Sequence, residues 1–296
     1  MKPPLELRKT RDFGQIINDS FSFLKENFRQ LVIPLLIICG FFIIIGTITS
    51  VFQYTGMMNL YGGFFRSDVN SYEVSSYTTT YVLSVIFNAV IALLLQACIH
   101  LVTLCYISVC LQKGGDKPTF EEVWGYFKYY ILRVIGSGFL IVMLTIAGAL
   151  LCILPGIYLS IVLSLVIPII VIENASFSYA FNKSFKLIKD NWWFTFGVIF
   201  ITSLIVGVIS SVANVPLTIV GVGAKFFTQK TFTLPLIIIF SALRNILMLA
   251  YTLPVIAIAL CYFSLSEQKE GLGLLDRIDK FGSDAGNNSI QQTEEF

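Results

Sequence analysis

Apolar residues along this chain collect into long runs separated by short polar stretches. The runs cover about residues 30–53, 81–112, 131–153, 157–172, 193–215 and 234–266. Most reach or exceed the roughly 20 residues a helix needs to cross a bilayer. They predict an all-α fold, a polytopic membrane bundle of six transmembrane helices. The run at 157–172 is short, and the one at 81–112 is long enough to tilt or project.

The polar stretches have a pattern of their own. Residues 13–28 read FGQIINDSFSFLKENF and residues 177–192 read FSYAFNKSFKLIKDNW, with Phe13/Phe177, Asn18/Asn182, Ser20/Ser184, Phe21/Phe185, Lys25/Lys189 and Asn27/Asn191 identical. In the first copy Phe13, Ile16, Ile17, Phe21 and Leu24 share one face of a helical wheel, opposite Gln15, Asp19, Ser22, Lys25 and Glu26. In the second, Phe177, Ala180, Phe181, Ser184, Phe185 and Ile188 make the apolar face and Lys183, Lys186 and Lys189 the polar one. Helices of this kind lie in a membrane interface. A third, diverged lead at about 119–130 carries Phe120, Val123, Trp124 and Phe127 at helical spacing. Asp12 with Gln15, and Thr119 with Glu122, match the capping box that opens a helix. The chain thus divides into 1–29 (basic N-terminus and amphipathic helix), 30–266 (membrane domain, with amphipathic helices at about 119–130 and 176–191) and 267–296 (polar, largely disordered tail). The plan is three hairpins, each preceded by a cytoplasmic interfacial helix.

Local signals refine the plan. At Leu154-Pro155-Gly156, proline is expected to stop the third helix and glycine to permit reversal into the fourth. Ser203, Gly207, Ser210 and Asn214 form a small-residue stripe that would let a neighbouring helix approach. Pro254 is expected to kink the last span. Trp192 and Trp193 are placed as interfacial anchors.

Composition agrees with a membrane protein: 56% hydrophobic, only 13% charged, with a mean hydropathy of +0.80. Of the 20 basic residues, 16 fall in the N-terminus, around 113–133, around 173–191 and in the tail. Short basic segments stay inside, so both termini are expected to be cytoplasmic and the protein to sit in a bacterial inner membrane. The net charge of +2 gives no case for nucleic acid. All six cysteines lie in apolar runs without metal-binding spacing, and with a single histidine neither a metal nor another cofactor is expected.

Polar residues inside the spans are the candidate chemistry. Asn88, Gln96, His100 and Thr103 share one side of the second helix, and Arg244 and Asn245 interrupt the last. Those on the second helix either hydrogen-bond neighbouring helices or line a polar cavity, and Arg244 either snorkels to the outer headgroups or faces a polar cavity shared with His100. Glu173, at the end of the fourth span, is either paired with a lysine or a buried functional acid. Lys25, Lys183, Lys186, Lys189, Trp192 and Trp193 are the candidate contacts to an anionic inner leaflet.

Leu154-Pro155-Gly156-Ile157-Tyr158-Leu159, then Pro168, Glu173, Ala180, Lys183-Ser184, Leu187 and Trp192-Trp193, resemble the membrane domain found in some glycerophosphoryl diester phosphodiesterases and in related uncharacterised bacterial multipass proteins. The resemblance implies the membrane part alone, since the phosphodiesterase activity of two-part members belongs to a separate soluble domain. The basic position, commonly arginine there, is Lys183 here.

GxSxG, P-loop and HExxH patterns are absent from the sequence, so catalysis is not expected. The expected role is a scaffold or accessory protein that engages membrane lipids and other membrane proteins at the cytoplasmic leaflet. The alternative is a transporter or lipid translocator with a polar cavity near Gln96, His100 and Arg244.

Overall fold

A run that is apolar on every side, not on one stripe, belongs in the middle of a bundle. Residues 252–266 are such a run, and every one of them is buried. A computed structural model describes residues 6–64, 71–114, 116–223 and 230–271, and within it this helix is the axis around which the others pack. The described residues form α1 (Phe13–Phe64), α2 (Ser71–Gln112), α3 (Phe120–Leu151), α4 (Ile153–Leu163), α5 (Val166–Ile172), α6 (Phe177–Ile188), α7 (Trp192–Gly223), α8 (Lys230–Leu247), a 3-10 turn (Met248–Tyr251) and the central α9 (Thr252–Glu270). They contain no strand, and six of their stretches are long and apolar enough to cross a membrane. α9 packs against α1, α2, α5, α6 and α7. The tail expected to be largely disordered lies outside the described residues from 272 onward.

The expected loops at 54–80 and 216–234 are largely helical, because α1, α2 and α7 run well past the apolar windows. The last span is interrupted by the 3-10 turn just before Pro254, and α9 continues into the polar tail until Gly271 ends it in the left-handed conformation (φ 61°). The predicted stripe on the fifth span is not a contact. Ser203 is exposed and nothing lies near Gly207, whereas Thr195, Val198, Thr202, Val206, Ala213 and Leu217 form the buried side of α7.

Contacts at the two ends of the bundle show how α1 lies. Ser50 of α1 meets both Asn88 of α2 and Arg244 of α8 at 3.0 Å. Farther along α2, Tyr106 donates to Asn27 at 3.0 Å, and farther along α9, Ser264 accepts the Arg11 amide at 2.9 Å. At about 1.5 Å per residue these two contacts lie about 27 and 30 Å from Ser50's partners. Arg11 and Asn27 are therefore at similar depth, although about 24 Å of helix would separate them. The first turns of α1 must cross the end of the bundle, and the helix bends before climbing to Ser50. Pro34, inside α1, removes a backbone hydrogen bond where such a bend is needed. We call the end holding the start of α1 and the end of α9 the basic end.

The reversal between α3 and α4 differs from expectation. Cys152 turns the chain in an extended conformation, Pro155 sits in the first turn of α4 where its missing N–H costs nothing, and Gly156 is helical. Glycine is required there for closeness: a Cβ on Gly156 would stand 2.8 Å from Ala149 Cα. The tip of this hairpin folds back to the basic end. Tyr158 stacks on Trp192 at 6.1 Å, and Leu154 lines a crevice with Lys189, Asp190 and Trp193. The start of α3 is at the same end, where Glu122 pairs with Lys113 at 2.6 Å and Lys117 reaches the Glu26 carbonyl. Both ends of α3 thus lie at the basic end. The stretches expected as the third and fourth spans are long and apolar enough to cross a membrane, and within the bundle their ends approach the basic end.

This has a direct check. Cys152 is the exposed cysteine and the other five are buried. In sealed vesicles, a nitroxide attached to Cys152 should be reduced faster by ascorbate added on the face that carries the N-terminus than by ascorbate on the opposite face. Faster reduction from the opposite face would mean that α3 and α4 cross the membrane.

Candidate functional site

Two polar clusters are built into the apolar bundle, one at each end. At the basic end, α6 opens with Ser176 accepting the Tyr179 amide and lays Ala180, Lys183, Ser184, Leu187 and Ile188 inward. The helical wheel places Lys183 on the polar face, among the contacts to an anionic leaflet, but it is 7% exposed. It occupies the face between Ala180 and Leu187, where carboxylates from two other elements receive it. Its ammonium lies 2.8 Å from Glu173 and 2.7 Å from Glu270. Tyr262 donates its hydroxyl to Glu173, and Ser266 donates to Glu270 at 2.9 Å. Burial acts to lower the Lys183 pKa, and the bonds to Glu173 and Glu270 outweigh it, so the ammonium is held above its ordinary value. These groups line a cleft of about 420 Å³ with Arg8, Tyr179 and Glu267.

The first copy of the repeat makes the same kind of contact with reversed charge. Asp19, which aligns with Lys183, pairs with Arg11 at 2.8 Å. Arg11 is sealed by the carbonyls of Glu6, Leu7 and Lys9, and its backbone exchanges hydrogen bonds with Ser264 of α9. The two copies therefore grip the same end of α9 from two directions. Their faces also differ from the wheels: Ile16, Ser20, Phe23, Asn27 and Leu31 are the buried stripe of α1, and Phe13 and Phe21 turn outward.

The other candidate contacts are where surface groups belong. Lys25, Lys186 and Lys189 are exposed, Trp192 stacks between Tyr158 and Phe196, and Trp193 is 78% exposed.

At the opposite end, Asn88, Arg244 and Asn245 do meet, around Ser50 and Thr49. Gln96, His100 and Thr103 are not brought to them. Thr103 bonds the Ile99 carbonyl of its own helix, and His100 is about 18 Å along α2 from Asn88. Arg244 therefore meets Ser50, Asn88 and Asn245, and His100 lies deeper along α2. The partners missed in the sequence are Gly46, Thr49, Ser50 and Gln53, a stripe at i, i+3, i+4 and i+7 of α1. Gly46 makes room for Asn245, whose Oδ1 would be 2.6 Å from a Cβ there.

Residues 129–279, half of the chain, match the family described as the membrane domain of glycerophosphoryl diester phosphodiesterase. No curated protein and no solved structure matches. The matched span takes in Tyr158 and Trp192, which stack on one another, Glu173, Lys183, Tyr262 and Glu270, which form one network, and Arg244 with Asn245. The chain belongs to this family of integral membrane domains.

Proposed function

We propose that the protein is a non-catalytic accessory or scaffold that grips the cytoplasmic leaflet of a bacterial inner membrane and engages anionic lipids and membrane partners there. The observation that carries this is the gathering of the first turns of α1, the α3–α4 hairpin and α6 at the basic end. The hairpin exposes Leu150 and Leu151 at 83% and 86%, exposed Lys189 lines the crevice beneath its tip, and Lys186, also exposed, precedes it on α6. Apolar surface with lysines beside it suits acyl chains below anionic headgroups, where each nearby lysine contributes about 1 kcal/mol. In this arrangement each amphipathic lead serves as the interfacial foot of the helices that follow it, and both termini are cytoplasmic.

Translocation is the second reading, favoured by the interrupted last helix beside Arg244. One experiment separates the two. Protein reconstituted in liposomes should retain phosphatidylglycerol over phosphatidylcholine, and Lys186→Gln with Lys189→Gln should cut that preference about thirtyfold, the effect of roughly 1 kcal/mol for each of the two charges lost. Fluorescent phospholipid should cross no faster than in empty liposomes. Crossing well above that background would replace the scaffold reading with the translocator.

A further inference from the structure

Helices α1, α2 and α3 leave a gap of about 330 Å³ between them. The side chains that line it are apolar or aromatic, among them Ile38 and Phe41 on α1, Leu94 and Cys98 on α2, and Trp124 and Ile131 on α3. A cavity without polar partners does not hold ordered water, and apolar ligands enter such spaces.

The gap is a slot. Trp124, Phe127, Ile131 and Ile135 follow one another along a single face of α3 and line it over about 17 Å. That length takes the part of an acyl chain lying in one leaflet, half of a hydrocarbon core of about 30 Å. One wall is flat, because the Trp124 ring stacks between Phe120 and Phe127 with centroids 6.4 and 5.5 Å away and planes 11° and 10° from parallel.

The slot has an open side and a closed one. Phe41, Leu94 and Ile135 are 64%, 39% and 51% exposed, whereas Leu101, Phe127 and Val134 are 2%, 5% and 4% exposed. All three helices include stretches long and apolar enough to cross a membrane, so the open side meets lipid. At the rim, one turn past Trp124, the Lys128 ammonium lies 5.0 Å from the Trp124 ring centre. Lys128 is exposed and forms no ion pair among the described residues. A cation at the rim of an apolar slot complements a chain whose headgroup is negative.

We propose that the slot between α1, α2 and α3 binds one acyl chain of an anionic glycerophospholipid, with Lys128 facing its headgroup. Lys186 and Lys189 of α6 take no part in it, so the site goes beyond the lipid surface at the basic end and does not depend on it.

Photo-crosslinking of the full-length protein in phosphatidylcholine liposomes tests this. The probe is phosphatidylglycerol with a diazirine midway along one chain, compared with a phosphatidylcholine probe carrying the same chain. Peptide mapping should find adducts on the buried walls Leu101, Phe127 or Val134, besides those on Val208 and Val212 of α7, which are both 62% exposed. The phosphatidylglycerol probe should label the buried walls about fivefold more than the phosphatidylcholine probe, and Lys128→Gln should erase that excess, the effect of one lysine charge. Ala97 lines the slot and is exposed, so Ala97→Phe fills the space; it should cut the buried-wall adducts about tenfold, as overpacking of an occupied site implies, and leave those on α7 unchanged. Ile131→Trp fills the slot from the facing wall and decides if Ala97→Phe does not fold. Lys186→Gln with Lys189→Gln should leave the buried-wall adducts as they are. Adducts confined to exposed residues would mean boundary lipid only. That result would overturn the proposal, as would buried-wall adducts that persist in the filled variants, form equally with both probes, or vanish with the α6 lysines.

Discussion

Gly156→Ala should destabilise the protein by about 2 kcal/mol, while Gly148→Ala, at the same helix crossing, should cost less than about 1 kcal/mol. The new methyl at position 156 would stand 2.8 Å, 2.9 Å and 3.0 Å from Ala149 Cα, Cβ and N. Backbone cannot yield without parting α3 from α4. A methyl at position 148 meets the tip of Leu159 at 2.7 Å, and a leucine can change rotamer. Alanine's higher helix propensity offsets up to about 1 kcal/mol at both positions, so the difference between them is the informative quantity. Spreading the hairpin should also pull Tyr158 from Trp192, which donates to the Tyr158 carbonyl at 3.4 Å. Denaturation in detergent and tryptophan emission measure the two effects. Equal costs for both variants would mean that the close approach of α3 and α4 is not what the glycine serves.

The same hairpin shows what could be read from the sequence and what could not. Every long apolar run became helical, the fourth and sixth each in two pieces, and the capping box at Thr119 and Glu122 formed as its spacing implied. Asp12 and Gln15 likewise exchange hydrogen bonds. Depth was not legible, because a run of apolar residues satisfies lipid whether it stands across a bilayer or lies within one leaflet. The contact that brings the hairpin to the basic end, Tyr158 on Trp192, joins residues 34 apart. The polar stripe of α1 was hidden for another reason. Serine and threonine in a span can satisfy themselves on their own helix, as Thr47 does on Ile43, so Thr49 and Ser50 look ordinary until Asn88 and Arg244 arrive from other helices. Lys183 was misplaced because charge was taken as a sign of exposure. Its partner Glu270 lies 87 residues on, in what reads as a tail.

That partnership yields the other large effect. Lys183→Met is expected to destabilise the protein by about 3 kcal/mol, at the low end of the cost of stranding a buried charge because Glu270 is about a third exposed. Two carboxylates would face each other without a cation, while the hydroxyls of Tyr262 and Ser266 remain committed to them. Lys183→Arg should be tolerated, since a guanidinium can reach both acids and keeps the charge. Lys183→Met combined with Glu173→Gln should recover part of the loss, because one stranded charge is then removed as well. The pH dependence has a definite sign. The folded ammonium is held above its ordinary pKa of 10.5. Its contribution is therefore fully present below the unfolded value and is lost only as pH rises through the folded one. Unfolding midpoints of wild type and Lys183→Met should accordingly keep a constant gap from neutral pH to about pH 10 and converge above it. A gap that closed between pH 7 and 9, or a double variant weaker than the single, would show that the Glu173–Lys183–Glu270 network does not hold α6 to the end of α9.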